Sequence, residues 1–179
     1  TGKYPEKVAV ILWAVETFRN EGVNESTILH LMGLKPVWGK AERVKDVSAI
    51  SGRELGRPRI DVLISPSGLY RDLFPDYLLF LDKAVKKAMA LDDIENLISK
   101  HSAELQANLI AGGMPEKEAE TLAGIRIFSE KPGSYGTGVA DLAGMSGVWE
   151  SEEELGKVFI KHTGYAFGGW SGDADCQDG

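Results

Sequence analysis

The chain has 179 residues, 43% apolar and 26% charged, a make-up that suits one globular domain with a real core. Its net charge of -7 argues against a nucleic-acid or anionic-membrane surface, because no dense basic stripe is present to neutralise phosphates. A single cysteine, Cys176, rules out an internal disulfide framework and suits a reducing, cytoplasmic setting, and no apolar run reaches the roughly 18 residues of a membrane span.

Thr1 to Glu6 lead directly into a strand-like run with neither an initiator Met nor a basic-then-apolar leader, the start expected of a piece cut from a longer protein. Val8 to Trp13 is continuous, apolar and rich in β-branched residues, which predicts a strand of a parallel sheet covered on both faces. Glu16 to Asn20 suit a helical turn. Gly22 interrupts, and Asn24 caps a second helical stretch whose Ile28, Leu31 and Met32 share one apolar face. Lys35 to Trp38 reads as a short extended segment and Arg43 to Ile50 as another strand, after which Gly52, Gly56 and Pro58 mark loop. Ile60 to Ser65 is the next strand. From Leu69 to Leu91, Leu73, Tyr77, Leu81, Ala84, Val85 and Ala88 recur at helical spacing and predict one long amphipathic helix, with Pro75 in its first turns.

A further helix is expected from Asp92 to about Leu109, a short one after Pro115, and a strand at Ile125 to Phe128. The glycine-rich loop Pro132 to Gly138 follows, then a helix start at Val139 and a capping-box helix from Ser151 to about His162. Residues 168–179 are rich in Gly and Asp without periodicity and read as a flexible tail. Strands alternating with helices predict a single α/β domain over residues 1–167: a Rossmann-like, three-layer arrangement with a mostly parallel sheet and helices on both faces.

In such sheets, ligands bind where loops leave the carboxyl ends of the strands. Three loops qualify: 14–19, 65–72 and 129–138. They bring Glu16 and Arg19, with Glu21 close by, then Arg71 and Asp72, then Glu130, Lys131, Ser134 and Tyr135. Carboxylates, arginines and a tyrosine in one cleft suit an acidic or amidated ligand and proton movement. The same pairs, Glu16–Arg19 and Arg71–Asp72, also read as helix-start charges and surface ion pairs. The glycine-rich loop matches neither the Walker nor the dinucleotide pattern, so it reads as a tight loop rather than a phosphate cradle. His30, His101 and His162 are scattered and form no metal-ligand motif; His101 and His162 read as partly buried packing residues and His30 as exposed.

Three stretches together resemble the family of the cobaltochelatase large subunit (CobN) and the magnesium chelatase H subunit. They are Tyr4 to Ala9 through Leu12-Trp13, Glu16-Thr17, Arg19 to Gly22 and Pro36 to Trp38; Gly56 to Val62 with Ser67 to Pro75; and Arg126 to Ser129 with Pro132 to Val139. The resemblance covers the chain to about Phe167 and a minor part of the family's much longer subunit. It implies a fragment of a subunit that holds a tetrapyrrole during ATP-dependent metal insertion, with two smaller AAA+ subunits using ATP and Mg2+. The wording of Arg19 to Gly22 and of Leu73 to Pro75 is closer to cobalt-type members, which implies Co2+ (or Mg2+) as substrate and a corrin precursor of the hydrogenobyrinate a,c-diamide type in cobalamin biosynthesis. The alternatives are a magnesium chelatase fragment acting on protoporphyrin and a non-catalytic scaffold that docks neighbouring domains or AAA+ subunits. Within the family reading, Glu16, Glu21 and Asp72 are candidate proton acceptors or cation guides. Arg19 and Arg71 are candidate clamps for ring carboxylates, and Ser134 and Tyr135 complete the substrate-binding set. No tightly bound cofactor and no resident metal are expected.

Overall fold

A computed structural model describes residues 2–145 and 147–169. Strand β1 (Lys7–Leu12) leads into helix α1 (Ala14–Asn20), which Glu21 ends in the left-handed region at φ 56°. Helix α2 (Val23–Leu31) starts one residue before the expected cap at Asn24, because Oδ1 of Asn20 already accepts from the N–H groups of Gly22 (3.1 Å) and Val23 (3.2 Å). The two extended segments that follow pair as an antiparallel hairpin, β2 (Leu34–Trp38) with β3 (Val44–Ala49), forming a small sheet of their own. A four-residue helix, α3 (Gly52–Leu55), capped by the Ser51 hydroxyl, occupies the stretch expected as loop, and β4 (Asp61–Pro66) follows.

The single helix expected from Leu69 to Leu91 is two: α4 (Gly68–Leu73) and α5 (Pro75–Met89). Pro75 disfavours the helical conformation in the residue before it, and Phe74 duly sits at φ -127°, ψ 51°. This break turns Leu73 and Tyr77 outward, while Leu78, Leu81, Ala84, Val85 and Ala88 stay buried. Helix α6 (Leu97–Ala111) starts later than Asp92, since Asn96 caps it by accepting from the N–H groups of Ile98 and Ser99. The chain then forms α7 (Glu116–Ala123), β5 (Ile127–Ser129), α8 (Val139–Gly144), α9 (Glu152–Thr163) and a short strand, β6 (Tyr165–Phe167), which no sequence periodicity announces. Of the expected tail, Gly168 and Gly169 are described, with the Gly169 N–H 3.4 Å from Oδ1 of Asp82; the rest, including Cys176, lies outside the described residues.

The main sheet has the order β1-β4-β5-β6, with β1, β4 and β5 parallel and β6 antiparallel at one edge. Register places Val10 beside Ile64 and Ile64 beside Ile127, so one face presents a continuous apolar row. That row packs on Ile28 of α2, on Met32 just past its end and on Leu81, Val85 and Ala88 of α5, all essentially fully buried. Each such side chain contributes about 1.5–3 kcal/mol of hydrophobic stabilisation. Alternation puts Lys7, Ala9 and Ile11 on the exposed side, so β1, at the edge of the sheet, is covered on one face and not on both as expected.

Two arginine clamps hold the edge of the sheet remote from the strand ends. Arg59, fully buried, donates to the carbonyls of Gly33 and Ile50 (both 2.8 Å) and to Oδ1 of Asp93 (2.7 Å), tying the hairpin to the start of β4. Arg126 donates through Nε to Oδ1 of the buried Asp61 at 2.6 Å, and His101 Nδ1 lies 2.9 Å from Oδ2. His101 is therefore partly buried and satisfied, and His30 is exposed, both as expected. His162 differs: it is exposed, because in α9 only Thr163 is buried, and its ring lies against Gly138. No helix among the described residues is long and apolar enough to cross a membrane.

Candidate functional site

Parallel pairing of β1, β4 and β5 carries their carboxyl ends to one rim, and the chain leaving each strand enters the same cleft of about 580 Å³. Trp13, Val15 and Glu16 come from the first strand end, Gly68 and Leu69 from the second, and Glu130 and Tyr135 from the third. The volume lies within the range of about 300–1,000 Å³ typical of small-molecule sites. Apolar surface continues beyond the cleft. Phe18 sits one helical turn after Val15, and its ring lies 5.1 Å from Phe74, which stacks on Tyr77 at 5.2 Å with an 11° tilt. Trp13, Val15, Phe18 and Leu73 are each more than half exposed, an unusual amount of apolar surface for one rim.

Buried polar bonds fix the walls. The Glu25 carboxylate in α2 accepts from Thr17 of α1 (2.8 Å) and from the Tyr70 hydroxyl of α4 (2.9 Å), joining the helices that follow β1 and β4. Burial, together with the neighbouring Glu25 carboxylate, pushes the Tyr70 phenol far above its ordinary range, so it remains a donor.

Arg71 spans the second and third loops. It is 5% exposed, and every guanidinium N–H has a partner within the protein. Nε and Nη2 grip the two carboxylate oxygens of Asp72 (2.7 and 3.0 Å), Nη1 donates to the carbonyls of Glu130 (2.7 Å) and Lys131 (3.1 Å), and Nη2 reaches the Ser134 carbonyl at 3.5 Å. The Tyr135 hydroxyl donates to the same Asp72 carboxylate. Hydrogen bonds from Arg71, then from Tyr135, hold the Asp72 carboxyl below the usual carboxylate range, and the bond to Asp72 pushes the Tyr135 phenol up. Gly68 permits this arrangement, since a Cβ there would stand 2.7 Å from the Ser134 carbonyl oxygen and 2.9 Å from the Tyr135 ring.

Of the seven residues singled out in the sequence, Glu16 and Tyr135 line the cleft. Arg19 is held at its border by an ion pair with Glu16 at 2.6 Å. Arg71, Asp72 and Ser134 form the bonded frame behind Tyr135, so Arg71–Asp72 is not a surface pair. Glu21, exposed at the end of α1, is not part of the lining. Glu130, expected in the third loop but outside those seven, also lines the cleft, and so does an apolar wall of Trp13, Val15 and Leu69 that charge pattern did not single out, although their place just after strand ends was the signal that marks them. Among the described residues, no group of three or more His, Cys, Asp or Glu side chains is arranged to hold a metal ion.

Residues 1–178 match the family described as CobN/Magnesium Chelatase. The chain is 38% identical over 168 residues to the magnesium-chelatase subunit ChlH of Oryza sativa subsp. japonica, covering 93% of this chain and 12% of that protein. It is 33% identical over 169 residues to the aerobic cobaltochelatase subunit CobN of a Sinorhizobium species, covering 93% of this chain and 13% of that one. A solved structure of the catalytic subunit of cobaltochelatase from Mycobacterium tuberculosis superposes with a TM-score of 0.80 at 35% identity, over 93% of this chain and 14% of that chain. The chain thus spans between an eighth and a seventh of these relatives' length. On sequence and on fold together, it belongs to the CobN/magnesium chelatase family.

Proposed function

We propose that the cleft forms one wall of the site where a chelatase holds its tetrapyrrole while a divalent metal enters the ring. The observation that carries this reading is the convergence of all three strand-end loops on one cleft continuous with exposed aromatic surface. A flat macrocycle offers a large apolar face to such a surface, with few polar groups needed to orient it. Metal insertion requires two pyrrole N–H protons to leave, the ring to bend and the ion to shed water. Glu16 is the lining carboxylate placed to accept a proton or guide a hydrated cation, with oxygen ligands suiting transient holding. Tyr135 stacks on the ring, at a position fixed by Asp72 and Arg71; with its N–H groups engaged, Arg71 acts by holding the loop. Arg19 can leave Glu16 for a ring carboxylate, and Glu21 serves only a ligand that extends to the end of α1.

The metal in this proposal is cobalt, delivered as substrate to a corrin precursor of the hydrogenobyrinate a,c-diamide type within cobalamin biosynthesis. The support is the wording of Arg19 to Gly22 and Leu73 to Pro75. Magnesium and protoporphyrin are the second reading, favoured by the 38% identity to the rice magnesium-chelatase subunit. The rest of the large subunit and AAA+ ATPases in the cytoplasm complete the proposed assembly. The test is metal insertion by that assembly, followed by tetrapyrrole absorbance, with each metal and ring in turn. Glu16→Gln is expected to slow insertion about 10²-fold, the lower end for loss of a general base; Asp72→Asn and Tyr135→Phe slow it through misplacement of the loop. Unchanged insertion by all three variants overturns the site and leaves a scaffold that docks neighbouring domains or AAA+ subunits.

A further inference from the structure

Two of the residues lining the cleft carry charge, and both are acids: Glu16 and Glu130. They differ in what surrounds them. Glu16 has Arg19 at 2.6 Å and lies a third exposed, whereas Glu130 is 5% exposed and its side chain touches one polar group, the Ser129 hydroxyl at 3.0 Å. Among the described residues, neither an ion pair nor a second hydrogen bond reaches the Glu130 carboxylate.

Counting protons sharpens this. A serine hydroxyl has one proton to give. The Ser129 hydroxyl lies 2.6 Å from the Pro66 carbonyl oxygen and 3.0 Å from Oε2 of Glu130, and both are acceptors. The shorter contact takes the proton, because two oxygens at 2.6 Å without a hydrogen between them repel. Glu130 is then a largely buried acceptor at the wall of the cleft, with no protein donor of its own. A carboxylate held this way gains from a ligand that brings it a donor. Among the described residues no cation forms an ion pair with it: Arg71 spends its N–H groups on Asp72 and on backbone carbonyls, and Arg19 is held by Glu16.

We infer that Glu130 is a specificity-determining residue: it accepts an N–H from the ligand and repels ligand carboxylates, so the ring enters with an uncharged, N–H-bearing edge toward β5. This rests on the tetrapyrrole reading of the cleft and adds an orientation to it. A peripheral carboxylate brought against Glu130 meets like charge in a desolvated setting, which is among the strongest ways a site rejects a wrong partner. A primary amide at the same place donates the missing hydrogen bond, and sites built on a buried polar group discriminate steeply between ligands that pair it and ligands that do not.

The test uses a matched pair of probes, a porphyrin carrying two propionic acids and the same porphyrin with both converted to primary amides. Each is titrated into the 179-residue chain and followed by Soret absorbance. The diamide is expected to bind about tenfold tighter at neutral pH. Glu130→Gln, which keeps the shape and can both donate and accept, is expected to shrink that preference to about twofold or less; Ser129→Ala, which leaves the carboxylate in place, is expected to retain it. Far-ultraviolet dichroism checks that the variants are folded, and if Glu130→Gln is not, Glu130→Ala is compared for the same ratio. Equal or tighter binding of the diacid by the unaltered chain overturns the inference while sparing the tetrapyrrole reading. A preference that survives both Glu130 substitutions overturns the assignment to this residue. Binding of neither probe overturns the tetrapyrrole reading and the inference with it.

Discussion

The Tyr135 hydroxyl donates a 2.6 Å hydrogen bond to Oδ2 of Asp72, 63 positions earlier in the chain, and so ties the loop after β5 to the helix after β4. Arg71 holds the same carboxylate from the other side, with its guanidinium 5.9 Å from the centre of the Tyr135 ring. The cleft wall is thus set by two donors, Arg71 and Tyr135, whose protons are committed, and by the carboxylate that accepts from both.

Asp72→Asn removes the charge that both partners grip. The Tyr135 phenol, raised by its bond to Asp72, is expected to fall back toward its ordinary value of 10.0. Absorbance of the phenolate against pH, compared between the two proteins, should show one of the five tyrosines titrating earlier in the variant. Because folding raises the Tyr135 value, its contribution to stability is full below about pH 10 and fades as pH rises through the folded value. An unchanged tyrosine titration contradicts the bond.

Acid shows the opposite sign for Asp72. Its carboxyl is held below the ordinary 3.8 by hydrogen bonds from Arg71 and Tyr135, so its contribution is present above about pH 4 and disappears as pH falls through the lower folded value. Thermal midpoints measured from pH 6 to pH 2 are expected to drop less steeply at the acid end in Asp72→Asn than in the unaltered chain. Parallel curves would show that the carboxylate contributes nothing there.

Gly68→Ala introduces a Cβ against the Ser134 carbonyl oxygen and the Tyr135 ring. Neither can yield without moving the loop, so the expected cost is about 1–3 kcal/mol by denaturant titration, the range for overpacking. Tetrapyrrole affinity should fall as well. Full retention of both would mean that the loop stands further from α4 than described.

Asp61→Asn serves as a control at the other end of β4. It leaves the Arg126 guanidinium, 5% exposed, without its charge partner, and breaking a buried ion pair costs about 3–5 kcal/mol. Chemical denaturation should record that loss, while the affinity of the folded fraction for tetrapyrrole stays the same. A parallel loss of affinity would place the site elsewhere.

Several of these features were legible in the sequence, for identifiable reasons. The apolar, β-branched runs of β4 and β5 and the helical spacing from Leu81 to Ala88 announce buried elements directly, and the run of β1 announces a strand although one of its faces is exposed. The meeting of the three strand-end loops follows from parallel pairing alone. What was hidden depends on partners distant in sequence. The pairing of β2 with β3 is set by Arg59 and by the α2 end it clamps, and β6 forms only because β5 offers an edge. Pro75 marked the break at Phe74, but helical spacing on either side concealed it. At the site, charge pattern identified Glu16 and Tyr135; it could not show that Arg71 is spent on carbonyls or that Ser129 cannot satisfy both Pro66 and Glu130, since these are facts of distance.

Backbone amide shifts followed by nuclear magnetic resonance during titration of the chain with a tetrapyrrole test the central claim most directly. The expected result is a contiguous set of perturbations at residues 13–18, 67–73 and 130–137, with the amides around Asp61, His101 and Arg126 unmoved. Perturbations confined to that far edge, or saturating ligand with none at all, would contradict a ring seated between the three strand ends.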